Sequence, residues 1–187
     1  MRKASKSREE ILADLTKVFR EHGFHGTTLS KLTQSTGLER ASLYHYFPKG
    51  KQDMANAVIL GVLESLENEV LVYLQSTAEP KEKLSKMLRA LKHFYKEGVD
   101  QCFISIFSVG EINEKIGSKL KTATESWIDL LMTIFHNLDY HSPNDEAIKT
   151  LSSIQGSLVL AHITKDPEKF STCLRTLASS WGLNIDL

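Results

Sequence analysis

The sequence predicts an all-α protein, and three observations carry that expectation. Apolar residues recur at helical spacing along almost the whole chain. No stretch alternates as a half-buried strand does. The interruptions are short and rich in Gly, Pro, Asn, Asp or Ser. Composition agrees: of 187 residues 41% are hydrophobic and 25% charged, with only four prolines, which suits a globular chain with a sizeable core.

The elements follow in order. Ile11, Leu12, Leu15, Val18 and Phe19 form one apolar stripe, and "EHGFHG" ends that helix with Gly23 in the C-cap region. Thr27 or Thr28 can cap the next helix, whose Leu29 and Leu32 face inward. Gly37 interrupts it, a second short helix runs from about Arg40 to Phe47, and Pro48 and Gly50 punctuate the chain. A long helix then covers 51–74, with Met54, Val58, Val62, Leu66 and Val70 as core candidates, up to the break "STAEPKEK". Further helices are expected over 81–97, 101–109, 112–138, 144–163 and 167–182, separated by "GVD", "VGE", "DYHSPND" and "TKDP". That makes about nine helices, with no internal repeat.

Two cysteines, Cys102 and Cys173, make no disulfide framework, which points to a reducing compartment. The basic start "MRKASKSREE" is followed by no apolar run, so no signal peptide is expected. Stretches such as "SLVLAHI" fall far short of the ~20 residues of a membrane span. The expectation is a cytoplasmic protein with no membrane partner. Net charge is zero but unevenly spread. Residues 1–55 hold ten Lys and Arg against six Asp and Glu, and the remainder thirteen against seventeen. A basic front end suits contact with a polyanion; a few excess charges are also common on solvated surfaces.

The stretch "TTLSKLTQSTGLERASLYHYFPKGK", residues 27–51, lies in that basic end. Two short helices joined by a tight Gly-containing turn read as a helix-turn-helix, whose second helix enters the DNA major groove. Leu29, Leu32, Leu38, Leu43 and Phe47 would pin the pair, leaving Glu39, Arg40, Ser42, Tyr44, His45, the Thr27/Thr28 cap and Lys51 outside. Arg pairs with guanine edges, while Ser, Thr, Tyr and free backbone N–H groups suit phosphate oxygens. The other reading of the pattern is a helical hairpin with a polar outer face.

"FREHGFHGTTLSKLTQSTGLERASLYHYFPKGK" resembles the DNA-binding domain of the TetR family of transcriptional regulators. The Gly-Phe before the Thr pair, the Gly-Leu turn, and Leu-Tyr-His-Tyr-Phe before a basic turn carry the resemblance, over about residues 8–55. The extra residue in "FPKGK" is similar to the LmrA/YxaF subgroup, as more loosely are "QCFISIFSVGE" and "LSSIQGSLVLAH". The resemblance implies a three-helix DNA-binding domain over 1–50 and a ligand-binding and dimerisation domain over 51–187. It implies that Thr27 and Thr28 cap the second helix and touch phosphate. Arg40, Ala41 and Ser42 would open the recognition helix, with Arg40 the base reader. Tyr44 would bind phosphate, His45 would sit beside it in the groove, and Lys51 would bind phosphate at the start of helix four. Glu39 departs from the small polar residue frequent at its position; it accepts from a cytosine amino group or faces solvent. Lys51 is a cation at a helix N-terminus, mildly unfavourable by ~0.3–1 kcal/mol, which a bound phosphate or simple solvent screening would explain.

The last two helices carry stripes of Ile148, Leu151, Ile154 and Leu158, then Phe170, Leu174, Leu177 and Trp181, beside small Ser152, Ser153, Gly156 and Ser157. In the resembled family such helices pair two copies as a homodimer; alternatively the stripes bury within one chain. Phe94, Tyr95, Phe103, Phe107, Trp127, Met132 and Phe135 concentrate aromatic and apolar bulk that suits either plain core or an apolar pocket. With the resemblance, the expected pocket residues are Phe94, Cys102, Phe103, Ile106, Phe107, Trp127, Leu131, Phe135, Gln155 and Leu158, with His93 and His162 as further polar candidates.

No enzyme chemistry stands out. The histidines show no HExxH pair, "HNLDYH" reads as a solvated connection, Cys102 has apolar neighbours and no assignable base, and no glycine-rich phosphate loop occurs. No cofactor or metal is expected. The expected protein is a transcriptional regulator, a homodimeric repressor released from a palindromic double-stranded DNA operator by a small hydrophobic ligand. The alternatives are a constitutive DNA-binding regulator and a helical protein-interaction module.

Overall fold

Helical periodicity over nearly the whole chain gives a helical molecule. The computed structural model describes residues 6–107 and 114–186. Among them the elements are α1 (Arg8–Gly26), α2 (Leu29–Thr36), α3 (Arg40–Tyr46), a long α4, α5 (Pro80–Phe94), α6 (Phe103–Phe107), α7 (Glu114–Asn137), α8 (Pro143–Thr164) and α9 (Glu168–Ser180). The expected "VGE" break at 109–111 and the helix ends beside it lie outside the described residues.

Local chemistry sets the ends. Ser7 accepts from the N–H of Glu10 and the Glu10 carboxylate accepts from the N–H of Ser7, a capping box that starts α1. Gly23, at positive φ, bends its last turn. α4 is one helix in three parts: Lys51–Leu66, a π-helical turn over Glu67–Leu71, and Val72–Gln75. The π turn shifts the register of the buried face, so that Val70, Leu71 and Leu74 continue the line of Leu66 into the second core. The helix expected over 81–97 stops at Phe94. Lys96 and Glu97 adopt left-handed backbone in a 3₁₀ turn (Lys96–Gly98), which helix propensity could not announce.

Two apolar cores result. The first gathers Ile11, Leu15, Phe19, Leu32, Leu43, Phe47, Met54 and Val58, closed from the far side by Phe103, Phe107, Ile116 and Leu120. The second gathers Leu84, Leu88, Leu91, Trp127, Leu131, Phe135, Leu151, Ile154, Leu158, Phe170, Leu174 and Trp181, where α7, α8, α9 and α5 pack. The first half of α4 completes the first core and its second half joins the other, so this helix spans both. No helix among the described residues is long and apolar enough to cross a membrane.

Candidate nucleic-acid interface

The turn between α2 and α3 follows from two residues. Gly37 caps α2 at φ 67° and ψ 14°, its N–H donating to the Thr33 carbonyl at 2.9 Å. That left-handed conformation is easy for glycine alone among ordinary residues. Thr36 is buried; its hydroxyl donates to the Leu32 carbonyl at 2.8 Å and accepts from the N–H of Leu38 at 3.3 Å. Sequence reasoning passed over Thr36, although a small hydroxyl next to a turn glycine was its signal. Ser35 donates to the Asp14 carbonyl and ties α2 to α1.

Leu43 and Phe47 anchor α3 in the first core. At about 3.6 residues per turn, Arg40, Ala41, Tyr44 and His45 then share one outward arc, and all four are exposed. Ser42, half-buried, and exposed Tyr46 flank it. Glu39 is exposed and makes no side-chain capping bond, as either alternative for it requires.

The two threonines divide their roles. Thr28 is the cap, its hydroxyl accepting from the N–H of Lys31 at 3.3 Å. Thr27 is buried, and its hydroxyl donates to the Gly23 carbonyl at 2.6 Å. The expectation that the Thr27 side chain caps α2 and reaches phosphate is therefore corrected. The bend at Gly23 turns a carbonyl toward it, and the hydroxyl is spent there.

Lys51 also does more than its position announced. Its ammonium donates to the carbonyls of Phe24 at 3.0 Å and Thr27 at 3.1 Å and lies 4.6 Å from the Phe24 ring centre. An ammonium has three N–H donors, so one is left for a further acceptor. Nearby, a methyl group built on Gly50 would come within 3.2 Å of the Tyr44 ring, so the tyrosine lies across the start of α4. The first N–H groups of a helix have no partner inside it and attract anions. Tyr44, the start of α4 and Lys51 thus form one local group.

The expected pocket residues do not come together. Phe103, Ile106 and Phe107 belong with the first core: Phe107 packs on Phe19, Phe24 and Phe103, and the Arg20 guanidinium sits 5.0 Å over the Phe103 ring. Phe94, Cys102, Trp127, Leu131, Phe135 and Leu158 belong with the second. A single cluster from Phe94 to Phe135 is corrected to two, because α6 turns back onto α1. Arg20 pairs with Asp100, which also meets Lys96, across that contact. Gln155 accepts from Ser105 at 3.0 Å, joining α8 to α6. His93 is exposed in an open surface groove with Arg89, Lys92 and Lys96, and His162 lies 3.1 Å from the Gln101 amide. Cys102 is buried and accepts from the Tyr95 hydroxyl at 3.3 Å; burial holds that phenol well above its usual range. No group of three or more His, Cys, Asp or Glu side chains gathers among the described residues as a metal site would need.

Residues 11–58 match the family model of the bacterial regulatory proteins of the tetR family. This N-terminal domain belongs to the TetR family. The TetR-type domain takes in α1 to α3 and the start of α4, the elements that build the first core. Two Bacillus subtilis regulators are similar to the chain. LmrA is 29% identical over 85 residues, which is 46% of this chain and 45% of LmrA. YxaF is 28% identical over 83 residues, 44% of each. The shared part is thus less than half the length of either relative. The fold extends further: a TetR transcriptional regulator from Legionella pneumophila superposes with a TM-score of 0.80 over 96% of this chain and 99% of its own, at 21% identity. The all-α architecture, a helix-turn-helix domain followed by a larger helical domain, is that of the TetR fold.

Proposed function

We propose that the protein is a dimeric transcriptional repressor that binds a palindromic operator and leaves it when a small hydrophobic molecule binds the C-terminal domain. The observation that carries the DNA reading is the outward arc of α3, where Arg40, Ala41, Tyr44 and His45 stand exposed while Leu43 and Phe47 fix the helix from behind. Arg40 reads a base edge, Ala41 and Ser42 approach the groove wall, and His45 lies beside them. Tyr44, the free N–H groups of α4, the remaining Lys51 donor and the Thr28 cap hold phosphates. Thr27 contributes through the backbone it positions. The relatives named above are regulators rather than enzymes, which agrees with this assignment.

Self-association is carried by α8. Ile148, Val159, Leu160 and Ile163 are exposed on one side of that helix, with exposed Ser152 and open space at Gly156 between them. A stripe of this kind suits a second copy across a two-fold axis. Leu177 and Trp181 of the last helix and its surroundings are buried within the chain instead. The proposed DNA-binding unit runs past residue 50, the boundary expected from the sequence, because Met54, Ala55, Val58 and Ile59 belong to its core.

Selecting bound sequences from a random DNA pool tests this reading. A palindromic consensus is the expected result, and enrichment of no sequence would overturn it. The division of the expected pocket residues between two cores favours the constitutive regulator as second reading. Operator affinity that no bound compound alters would select it.

A further inference from the structure

Several buried side-chain donors among the described residues are provided for. The hydroxyls of Thr27, Thr36 and Ser157 donate to carbonyls of their own helical segments, and the indole N–H of Trp181 donates to Glu146 at 3.2 Å. Trp127 is one of those that are not. Its side chain is 0% exposed, and its indole Nε1–H is buried with no partner. The Gln155 amide nitrogen and the Thr150 hydroxyl are buried and unpaired as well. Trp127 lies on α7, and Thr150 and Gln155 lie on α8, the helix that packs against it.

The hairpin register brings two of them to one level. Trp127 stands ten residues before Asn137 at the end of α7, and Ser153 stands ten after Pro143 at the start of α8. A short connection makes the two helices antiparallel, and equal rise per residue sets these positions side by side. Gln155 is about half a turn further on. An unpaired N–H in an apolar surround costs about 1–3 kcal/mol, so a native site that keeps one is completed by something with an acceptor. Trp127 belongs to the second apolar core together with Leu131, Phe135, Ile154 and Leu158. Among the described residues no charged side chain is buried, so an anion placed there would lack a counter-charge.

We infer that the α7–α8 seam takes a neutral, mainly apolar molecule bearing a carbonyl-type acceptor, which Trp127 Nε1–H and the Gln155 amide bind by donation. The inference rests on the proposal that the C-terminal domain receives a small ligand, and it names that ligand's chemistry. Gln155 accepts from Ser105 on α6 with its other atom, so the amide that meets the acceptor also touches the helix lying against α1.

Matched probes test this on the whole, DNA-free protein: 9-fluorenone against fluorene and fluorene-9-carboxylate, and acetophenone against ethylbenzene. Calorimetry should show each ketone binding at least tenfold tighter than its hydrocarbon, with the carboxylate weakest. Trp127→Phe should shrink the ketone's advantage to about twofold or less, and Gln155→Leu should shrink it in part. Only two indole N–H resonances exist, and that of Trp127 should move downfield with ketone but not with hydrocarbon. This second measurement needs no variant and holds if Trp127→Phe fails to fold. Equal binding of ketone and hydrocarbon, no binding by either ketone, or an unmoved Trp127 resonance overturns the inference; a resident water satisfying the donors would give the first pattern. Operator affinity is read separately. Selective ketone binding that leaves the operator bound sinks the release reading alone. A hydrocarbon that releases the operator while ketones gain nothing sinks this inference alone.

Discussion

At the scale of single residues, Arg40 and Lys51 carry the two halves of the proposed DNA contact, reading and holding. Arg40 has no partner-dependent role in the fold and is exposed, so Arg40→Ala should leave stability unchanged. It should cost about 1–3 kcal/mol of operator affinity and relax preference at one base pair per half-site. Titration against operators substituted one pair at a time checks this. Tyr44→Phe should weaken specific and random DNA alike, because the role proposed for the tyrosine is to hold phosphate. Lys51→Ala should do the same and also destabilise the free protein by about 1–3 kcal/mol, since two carbonyls at the end of α1 lose a charged donor. Urea unfolding without DNA separates the two effects. An unchanged midpoint would assign Lys51 to DNA alone.

At the scale of elements, α8 and α9 carry similar apolar stripes with different fates. Leu177 of α9 is 4% exposed, whereas Leu160 and Ile163 of α8 are 54% and 70% exposed. A charge on the first face must break the core; a charge on the second would meet only the proposed partner copy. Ile163→Glu should therefore give folded monomers that bind operator poorly, with unchanged helix content by circular dichroism. Leu177→Glu should lose helix content as well. Light scattering at micromolar concentration reads the mass. A dimeric Ile163→Glu protein would move the interface elsewhere. In the proposed dimer the two α3 helices should stand one turn of DNA or a multiple apart, ~34–36 Å per turn.

At the scale of the whole molecule, α6 is the piece through which the two cores meet. It brings Phe103 and Phe107 under α1 and Ser105 to α8, while Asp100 just before it pairs with Arg20. Phe107→Ala should consequently destabilise the DNA-binding half by about 3–5 kcal/mol, more than it alters ligand affinity. Trp127 substitutions should show the reverse weighting on ligand and operator. Any ligand that lowers operator affinity must itself be weakened by operator to the same factor, and it should raise the melting temperature of the DNA-free protein by mass action. Paired titrations in both orders check the reciprocity. Unequal factors would mean that the two sites are not linked through one equilibrium.

Caps, glycines and 3.6-residue spacing act within a few neighbours, so most of the helices, the turn at Gly37 and the outward arc from Arg40 to His45 were legible in the order of residues. The core of α3 was legible for the same reason: Leu43 and Phe47 are four apart on one face. Tertiary structure alone decided which threonine caps α2, since the carbonyl that captures Thr27 is freed by the bend at Gly23. It decided that Phe103 and Phe107 serve α1 and not Trp127, since helical spacing shows that a stripe is buried but not against what. It decided, too, which of two apolar stripes stays uncovered. Burial is set by the partners the chain brings from far along its length, and a local pattern cannot name them.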